Sequence, residues 1–187
     1  MKSEIVIDLL TAERFDDFLF YLNDHISDNG KDNSPLFLPI SRKDLSLSKE
    51  VKDSFRSGLS ISIDNLGWRR VLIAVNKNGE IIGHIDLKSH NQNYTKHRAI
   101  LGMGVQQDHR KVGVGCLLIE SIIEWAKNKT LIERIDLWVL STNGVAIRLY
   151  EKMGFKKVAE VEDMFRIDGA SLDYIMMTKE CSLMLSK

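Results

Sequence analysis

The chain has 187 residues, a length that suits one domain and is short for two complete ones. Hydrophobic residues make up 44% and charged residues 28%, and Gly (12) and Pro (2) are scarce, which excludes collagen-like, low-complexity and largely disordered chains. Lys and Arg (26) cancel Asp and Glu (26), so there is no global positive field for coating nucleic acid, and any anionic ligand must be held locally.

In chain order, Glu4 to Leu9 reads as a strand, and Thr11 is a plausible cap for a helix carrying Phe15, Phe18, Leu19, Leu22 and Ile26 at helical spacing. Asp28 to Ser41 collects turn-forming residues and both prolines, Pro35 and Pro39, around Leu36, Phe37 and Leu38, a loop with a hydrophobic tip. Val51, Phe55 and Leu59 predict a second short helix. Arg70 to Val75 and Glu80 to Lys88 are strand-like runs joined by the hairpin signal Asn76-Lys77-Asn78-Gly79, and His97 to Val105 continues the meander. Gly113 to Lys127 is a helix with Val114, Leu117, Leu118, Ile122 and Trp125 on its apolar face. Arg134 to Leu140 follows as a strand, Val145 to Met153 as a helix, and Phe155 to Val161 and Leu172 to Lys179 as strands. The order β-α-α-β-β-β-α-β-α-β-β predicts a mixed α/β domain with helices on both faces of a sheet, spanning 1–187 as a single unit with a tail at 182–187 that is expected to fray.

Cys116 and Cys181 have no CxxC spacing, and the five histidines include no HExxH pair, so neither a disulfide scaffold nor a metal site is expected. A reducing cytoplasm is the expected setting. Met1 to Leu10 carries Glu4 and Asp8, and no run of about 18 apolar residues occurs, so neither a signal peptide nor a membrane span is expected.

The segment most informative about chemistry is Gly104 to Cys116. It joins a strand to a helix start, where free backbone N–H groups and the positive end of the helix dipole meet glycines that let a ligand approach closely. Arg110 and Lys111 add charge, which favours a polyphosphate. Gly115 is followed by Cys116 and Leu117 rather than Lys and Ser or Thr, which disfavours a P-loop, and Gly113-Val114-Gly115 lacks the third glycine of a dinucleotide fingerprint.

Arg110-Lys111-Val112-Gly113-Val114-Gly115 resembles the pyrophosphate motif of the GNAT superfamily of acetyl-CoA-dependent acyltransferases. The resemblance extends to the strand Leu101-Gly102-Met103-Gly104-Val105 before it and to Asn143, Ala146, Leu149-Tyr150 and Gly154-Phe155 after it. It covers roughly residues 70 to 178 and implies a GNAT-type fold, a mixed and mostly antiparallel sheet flanked by helices. It also implies acetyl-CoA as co-substrate, with no metal, and transfer of the acetyl group to a primary amine of a small molecule or protein.

The resemblance assigns Arg110, Lys111, Val112, Gly113, Val114, Gly115 and Cys116 to the coenzyme A pyrophosphate, and Met103, Gly104 and Val105 to main-chain bonds with pantetheine. Asn143, Ala146 and Tyr150 share one helix face towards the cofactor, with Asn143 as the helix cap and Gly154 as its end. The implied mechanism is direct attack of a neutral amine through a tetrahedral intermediate, with Tyr150 protonating the leaving thiolate. Cys116 is read as a small packing residue rather than a nucleophile. Ile100 stands where several relatives place an acid, which leaves His84, Asp86 or a water chain as base. Pro35 to Pro39, Trp68 and the strand near His84 to Lys88 are expected to border the acceptor. The alternative is a non-catalytic acyl-CoA sensor or partner-binding domain. No nucleic acid or membrane partner is expected, and the resemblance makes a homodimer possible.

Overall fold

The computed structural model describes residues 5–181; Glu4, the expected start of the first strand, and the tail at 182–187 lie outside them. The elements follow the predicted order: β1 (Val6–Leu9), α1 (Phe15–Ser27), α2 (Lys49–Ser60), β2 (Arg69–Val75), β3 (Ile81–Ser89), β4 (Arg98–Val105), α3 (Val114–Lys129), β5 (Arg134–Leu140), α4 (Gly144–Lys152), β6 (Lys156–Ile167) and β7 (Ala170–Glu180). The strands form one seven-stranded sheet in the order β1-β2-β3-β4-β5-β7-β6. Every neighbouring pair is antiparallel except β4 and β5, which run parallel. No described helix is long and apolar enough to cross a membrane.

Alternation along the strands divides the sheet into two faces. Leu72, Ala74, Ile85, Leu87, Ala99, Leu101, Ile135, Leu137, Ile175 and Met177 point to one side and form the larger core with Val114, Leu118, Ile119, Ile122 and Ala126 of α3 and Tyr150 of α4. On the other side, Val71, Ile73 and Val75 pack with Phe15, Phe18, Tyr21, Leu22 and Ile26 of α1 and Phe55 of α2. Full burial of each large aliphatic side chain, as at Ile122, contributes about 1.5–3 kcal/mol.

The turns follow from local chemistry. Asn76 Oδ1 accepts from the backbone of Asn78 (2.9 Å) and Glu80 (3.0 Å), and Gly79 takes φ +83°. Asp168 and Gly169 both have positive φ, the two-residue turn that suits the twist of the β6–β7 hairpin.

Several expectations need correction. α1 starts at Phe15 with Arg14 in the cap position and no side-chain cap, whereas Thr11 lies a turn earlier and hydrogen-bonds Glu13. Val51 lies in α2 but is exposed. The loop after α1 is not a free hydrophobic tip, because the fully buried Asn29 clamps it: Oδ1 accepts from Phe37 N (2.8 Å) and Leu38 N (2.9 Å), and Nδ2 donates to Leu38 O (3.2 Å). Leu36 is thereby driven into a small core with Leu140, Ile167 and Leu172. Trp68, expected near the acceptor, is buried in the α3-side core. β6 runs on to Ile167, beyond the expected end at Val161, across a register shift in which Asp163 takes φ +48°.

Candidate active site

β4 and β5 pair only from Arg98↔Arg134 to Ile100↔Asp136 and then part. Gln106 N donates to Ile82 O (3.0 Å), which sets the alternation of the β3–β4 ladder. The even-numbered residues of β4 therefore bond β3, and the N–H and C=O groups of Leu101, Met103 and Val105 turn towards the gap that β5 has left. Of the three expected pantetheine residues, Met103 and Val105 present main-chain groups to this gap, whereas Gly104 turns its own towards β3. Leu101 joins the set.

The pinned end of the gap is held by a buried charge network. Asp136, 0% exposed, accepts from Arg98 Nε (2.7 Å) and Nη2 (2.5 Å) and from Thr178 Oγ1 (2.7 Å), and His90 Nε2 lies 3.0 Å away. Burial alone would raise its carboxyl, but the hydrogen bonds from Arg98, Thr178 and His90 outweigh it and hold the pKa below its ordinary value.

The open end leads to the loop before α3. Lys111 and Gly113 have positive φ (64° and 98°), and Leu117 N, bonded to Gly113 O (3.1 Å), makes the first turn of the helix. The N–H groups of Val114, Gly115 and Cys116 precede that bond and point out of the helix end. A Cβ on Gly113 would meet nothing within 4 Å, so open space lies directly over this cradle. Gly115 has a different role: a Cβ there would sit 3.0 Å from Leu149 of α4 and 3.5 Å from Met103, so its absence lets the three elements close together. Val112 and Lys111 are exposed, and Cys116 is a half-buried free thiol. Arg110 Nε donates to Val105 O (2.9 Å), and the guanidinium lies 5.7 Å from the Phe37 ring centroid, which ties the cradle to the strand end.

On α4, Asn143 Oδ1 accepts from Ala146 N (3.2 Å) as a helix cap, and Gly154, at φ +84°, ends the helix with its N–H on Glu151 O (2.9 Å). Tyr150 is buried with its ring edge-on to Phe155. Its hydroxyl has no hydrogen-bond partner among the described residues. Burial, reinforced by Tyr174, raises its pKa, so the phenol keeps its proton.

The opposite face carries three rows of side chains across the strands: Arg69, Lys88, Ile100, Asp136 and Thr178; then Val71, Asp86, Gly102, Trp138 and Met176; then Ile73, His84, Gly104, Leu140 and Tyr174. The gap interrupts the second and third rows. Glycine in β4 is what admits the ionisable groups beside it. A Cβ on Gly102 would sit 2.7 Å from Asp86 Oδ1, and one on Gly104 would sit 2.3 Å from His25 Nε2.

Asp86 Oδ2 pairs with Arg69 Nε (3.3 Å), and that guanidinium lies over the Phe55 ring at 3.9 Å. Burial raises the Asp86 pKa against the opposing pull of Arg69. The Tyr21 hydroxyl donates to Gly104 O (3.0 Å) and lies 3.1 Å from His84 Nδ1, so the His84 proton sits on Nδ1 and donates to the phenol. His84 is packed against Phe18, and burial, with His25 and Arg69, keeps it neutral. His25, stacked between Tyr21 and Phe37, is pushed down to about 4 by burial and by the charge of Arg110.

Tyr21 and His25 were not singled out from sequence, although both fall on the apolar stripe of α1 with Phe18 and Leu22. A polar residue at core spacing was the available signal. Among the described residues no group of three His, Cys, Asp or Glu side chains is gathered as a metal would require.

The profile of the acetyltransferase (GNAT) family matches residues 43–155, more than half of the chain. Among curated proteins the chain is similar to the L-amino acid N-acetyltransferase AaaT of Escherichia coli strain K12, with 28% identity over 93 residues, 50% of this chain and 56% of that protein. It is also similar to NAA10, the catalytic subunit of the N-terminal acetyltransferase A complex of Arabidopsis thaliana, with 29% identity over 106 residues, 56% of this chain and 55% of that protein. The chain spans about half the length of these curated relatives.

Among solved structures, a GNAT-family acetyltransferase from Streptococcus pneumoniae superposes with a TM-score of 0.76 at 24% identity, covering 95% of this chain and 99% of that one. The yncA protein of Salmonella typhimurium, solved with acetyl-CoA, does so with a TM-score of 0.77 at 15% identity, covering 99% and 98%. These likenesses show the shared fold, and the profile match shows the family: the chain belongs to the GNAT acetyltransferases, whose acyl donor is acetyl-CoA.

Proposed function

We propose that the chain transfers the acetyl group of acetyl-CoA to a primary amine by direct attack. The observation that carries this reading is the gap between β4 and β5, which runs from the loop at Gly113 to the row of Asp86 and Gly102. The residues present fit the cofactor. The N–H groups of Val114, Gly115 and Cys116, with Lys111 beside them, would hold the pyrophosphate at a helix N-terminus. The free main-chain groups of Leu101, Met103 and Val105 would pair with the pantetheine amides as with a strand. When bound, acetyl-CoA supplies the activated acetyl thioester.

The chain's own groups divide the remaining work. A strand N–H from Met103 would face the thioester carbonyl and stabilise the charge that grows there. Tyr150, neutral and without a protein partner, would donate to the departing sulfur. Its raised pKa keeps the phenol protonated and so available as the donor. On the other face, Asp86 Oδ2 is engaged by Arg69 while Oδ1 faces Gly102, which makes Asp86 the better placed base; His84 has its Nδ1 committed to Tyr21. Attack by the amine leaves no covalent step for Cys116.

Paired binding and steady-state kinetics with an amine panel test the assignment. Tyr150→Phe keeps the ring, so acetyl-CoA affinity should hold while kcat falls by roughly 100-fold or more. Asp86→Asn should lower kcat/KM and remove the loss of activity expected of wild type as pH falls through the raised Asp86 pKa. Near-normal turnover in Tyr150→Phe would assign the proton to solvent, and an unchanged acid limb in Asp86→Asn would do the same for the base. Tight acetyl-CoA binding without transfer to any amine would make the chain a sensor.

A further inference from the structure

We propose that the acceptor is a free amino acid, whose carboxylate is held by Lys88 while its amine lies over Gly102. This rests on the transferase reading above and narrows it to one class of amine. Most charges on the α1 and α2 face are paired. Asp86 is paired with Arg69, and Asp136 with Arg98 and His90. Lys88 lies in the same alternating series on β3, opposite Ile100, and is half-buried. Among the described residues its ammonium has no ion-pair or hydrogen-bond partner. Once the pairs are cancelled, Lys88 is left as a cation without an ion-pair partner beside the interrupted rows, only partly offset by Asp86, and Arg110 lies unpaired further along the face against Phe37.

A half-buried ammonium without a partner is costly, and the structure records the cost: burial, then Arg69, lowers the Lys88 pKa, with Asp86 only partly opposing them. A carboxylate brought to this point relieves it. A second cation, as in a polyamine, would add to it. Lys88 and Gly102 are diagonal neighbours across the β3–β4 pair, a Cα separation of roughly 7–8 Å that a lysine side chain can bridge. An α-amino acid carries its amine and carboxylate on one carbon and therefore spans such a site, whereas a peptide amino terminus has an amide where the charge is needed.

Two further features agree. Trp138, 37% exposed, stacks on Tyr174 at 5.1 Å beside the gap and offers an apolar wall to a side chain. At the far end of the third row, the loop after α1 is tied to the β6–β7 turn: Ser41 Oγ donates to Asp168 Oδ1 (2.6 Å) and Arg42 N to Asp168 Oδ2 (3.0 Å). An extended polypeptide crossing this face would need that end open.

The test uses the full chain, acetyl-CoA and four acceptors: L-phenylalanine, L-phenylalaninamide, spermidine and an eight-residue peptide with a free amino terminus. The free amino acid should exceed its amide in kcat/KM by roughly 10-fold or more, the usual weight of a charge-assisted contact. Lys88→Met, similar in length and apolar, should bring the ratio of the two towards one through a higher KM for the amino acid. Lys88→Arg should keep much of the preference. A preference for the amide, the peptide or spermidine in wild type would overturn the proposal, as would a ratio that Lys88→Met leaves unmoved in a folded protein. Absence of transfer to all four, with acetyl-CoA bound, would overturn the transferase reading and this inference with it.

Discussion

Gly113 and Gly104 lack side chains for different reasons, and the difference separates binding from packing. Gly104 makes room for a protein group, His25, whereas the space beside Gly113 contains no protein atom within 4 Å, so a side chain there meets only what binds. Gly113→Val should therefore abolish or weaken acetyl-CoA binding at least tenfold by calorimetry, on top of a strain of about 1–2 kcal/mol for an L-residue at φ +98°. Gly79→Val, at φ +83° with equally open space in the β2–β3 turn, carries the strain alone and serves as the control. Unchanged affinity in a folded Gly113→Val protein would move the pyrophosphate away from this loop. The loop that joins β4 to α3 was legible in the sequence because its signal is local: glycines, basic residues and a helix start within a few positions. The roles of Gly102 and Gly104 were not, because they depend on Asp86 and on His25, which lies some eighty positions earlier in the chain. Arg110 is a local case: its charge could be read, but its bond to Val105 O, five residues back, depends on how the loop folds.

The parting of β4 and β5 is a property of elements, and its pinned end depends on one buried carboxylate. Asp136 draws the start of β4 and β7 together through Arg98 and Thr178, so the strands are joined at Ile100 and free beyond it. Arg98→Met would leave that carboxylate buried with only His90 and Thr178, and should destabilise the fold by roughly 3 kcal/mol in denaturant titrations. The pH dependence has a definite sign. Because the folded pKa of Asp136 lies below its ordinary value, its contribution is present above the unfolded carboxylate pKa and is lost as pH falls through the folded one. In Arg98→Met the folded pKa should rise towards or past the unfolded value, so the loss of stability on acidification should shrink. A variant as stable as wild type across that range would mean that the backbone ladder, not the charge network, holds the strands together. The elements themselves were legible wherever hydrophobic periodicity was unbroken, as in α3. β6 was cut short at Val161 because Glu162 and Asp163 interrupt its alternation, and the structure carries the strand through them by shifting register against β7.

Across the whole molecule, the proposed function would have the sheet keep the two substrates on opposite sides until they meet at the gap, with α3 and α4 on the donor side and α1 and α2 on the acceptor side. On that reading, the size of the acceptor would be limited by the bridge between the loop after α1 and the β6–β7 turn, which joins residues more than a hundred positions apart through Asp168. Nothing in the local sequence announces it. Asp168 has φ +51°, so Asp168→Gly removes the carboxylate without adding backbone strain. Ser41 and Arg42 are exposed or half-buried at this point, and Leu36 keeps its own apolar contacts, so the denaturation midpoint should change little. Access should change more. With the loop released, kcat/KM for an eight-residue peptide should rise relative to that for L-phenylalanine, while acetyl-CoA affinity, set on the other face, stays as it was. If the bridge limits the acceptor, the ratio of the two rates moves and the cofactor constant does not; an unmoved ratio would assign the exclusion of longer chains to the Lys88 and Trp138 surroundings alone.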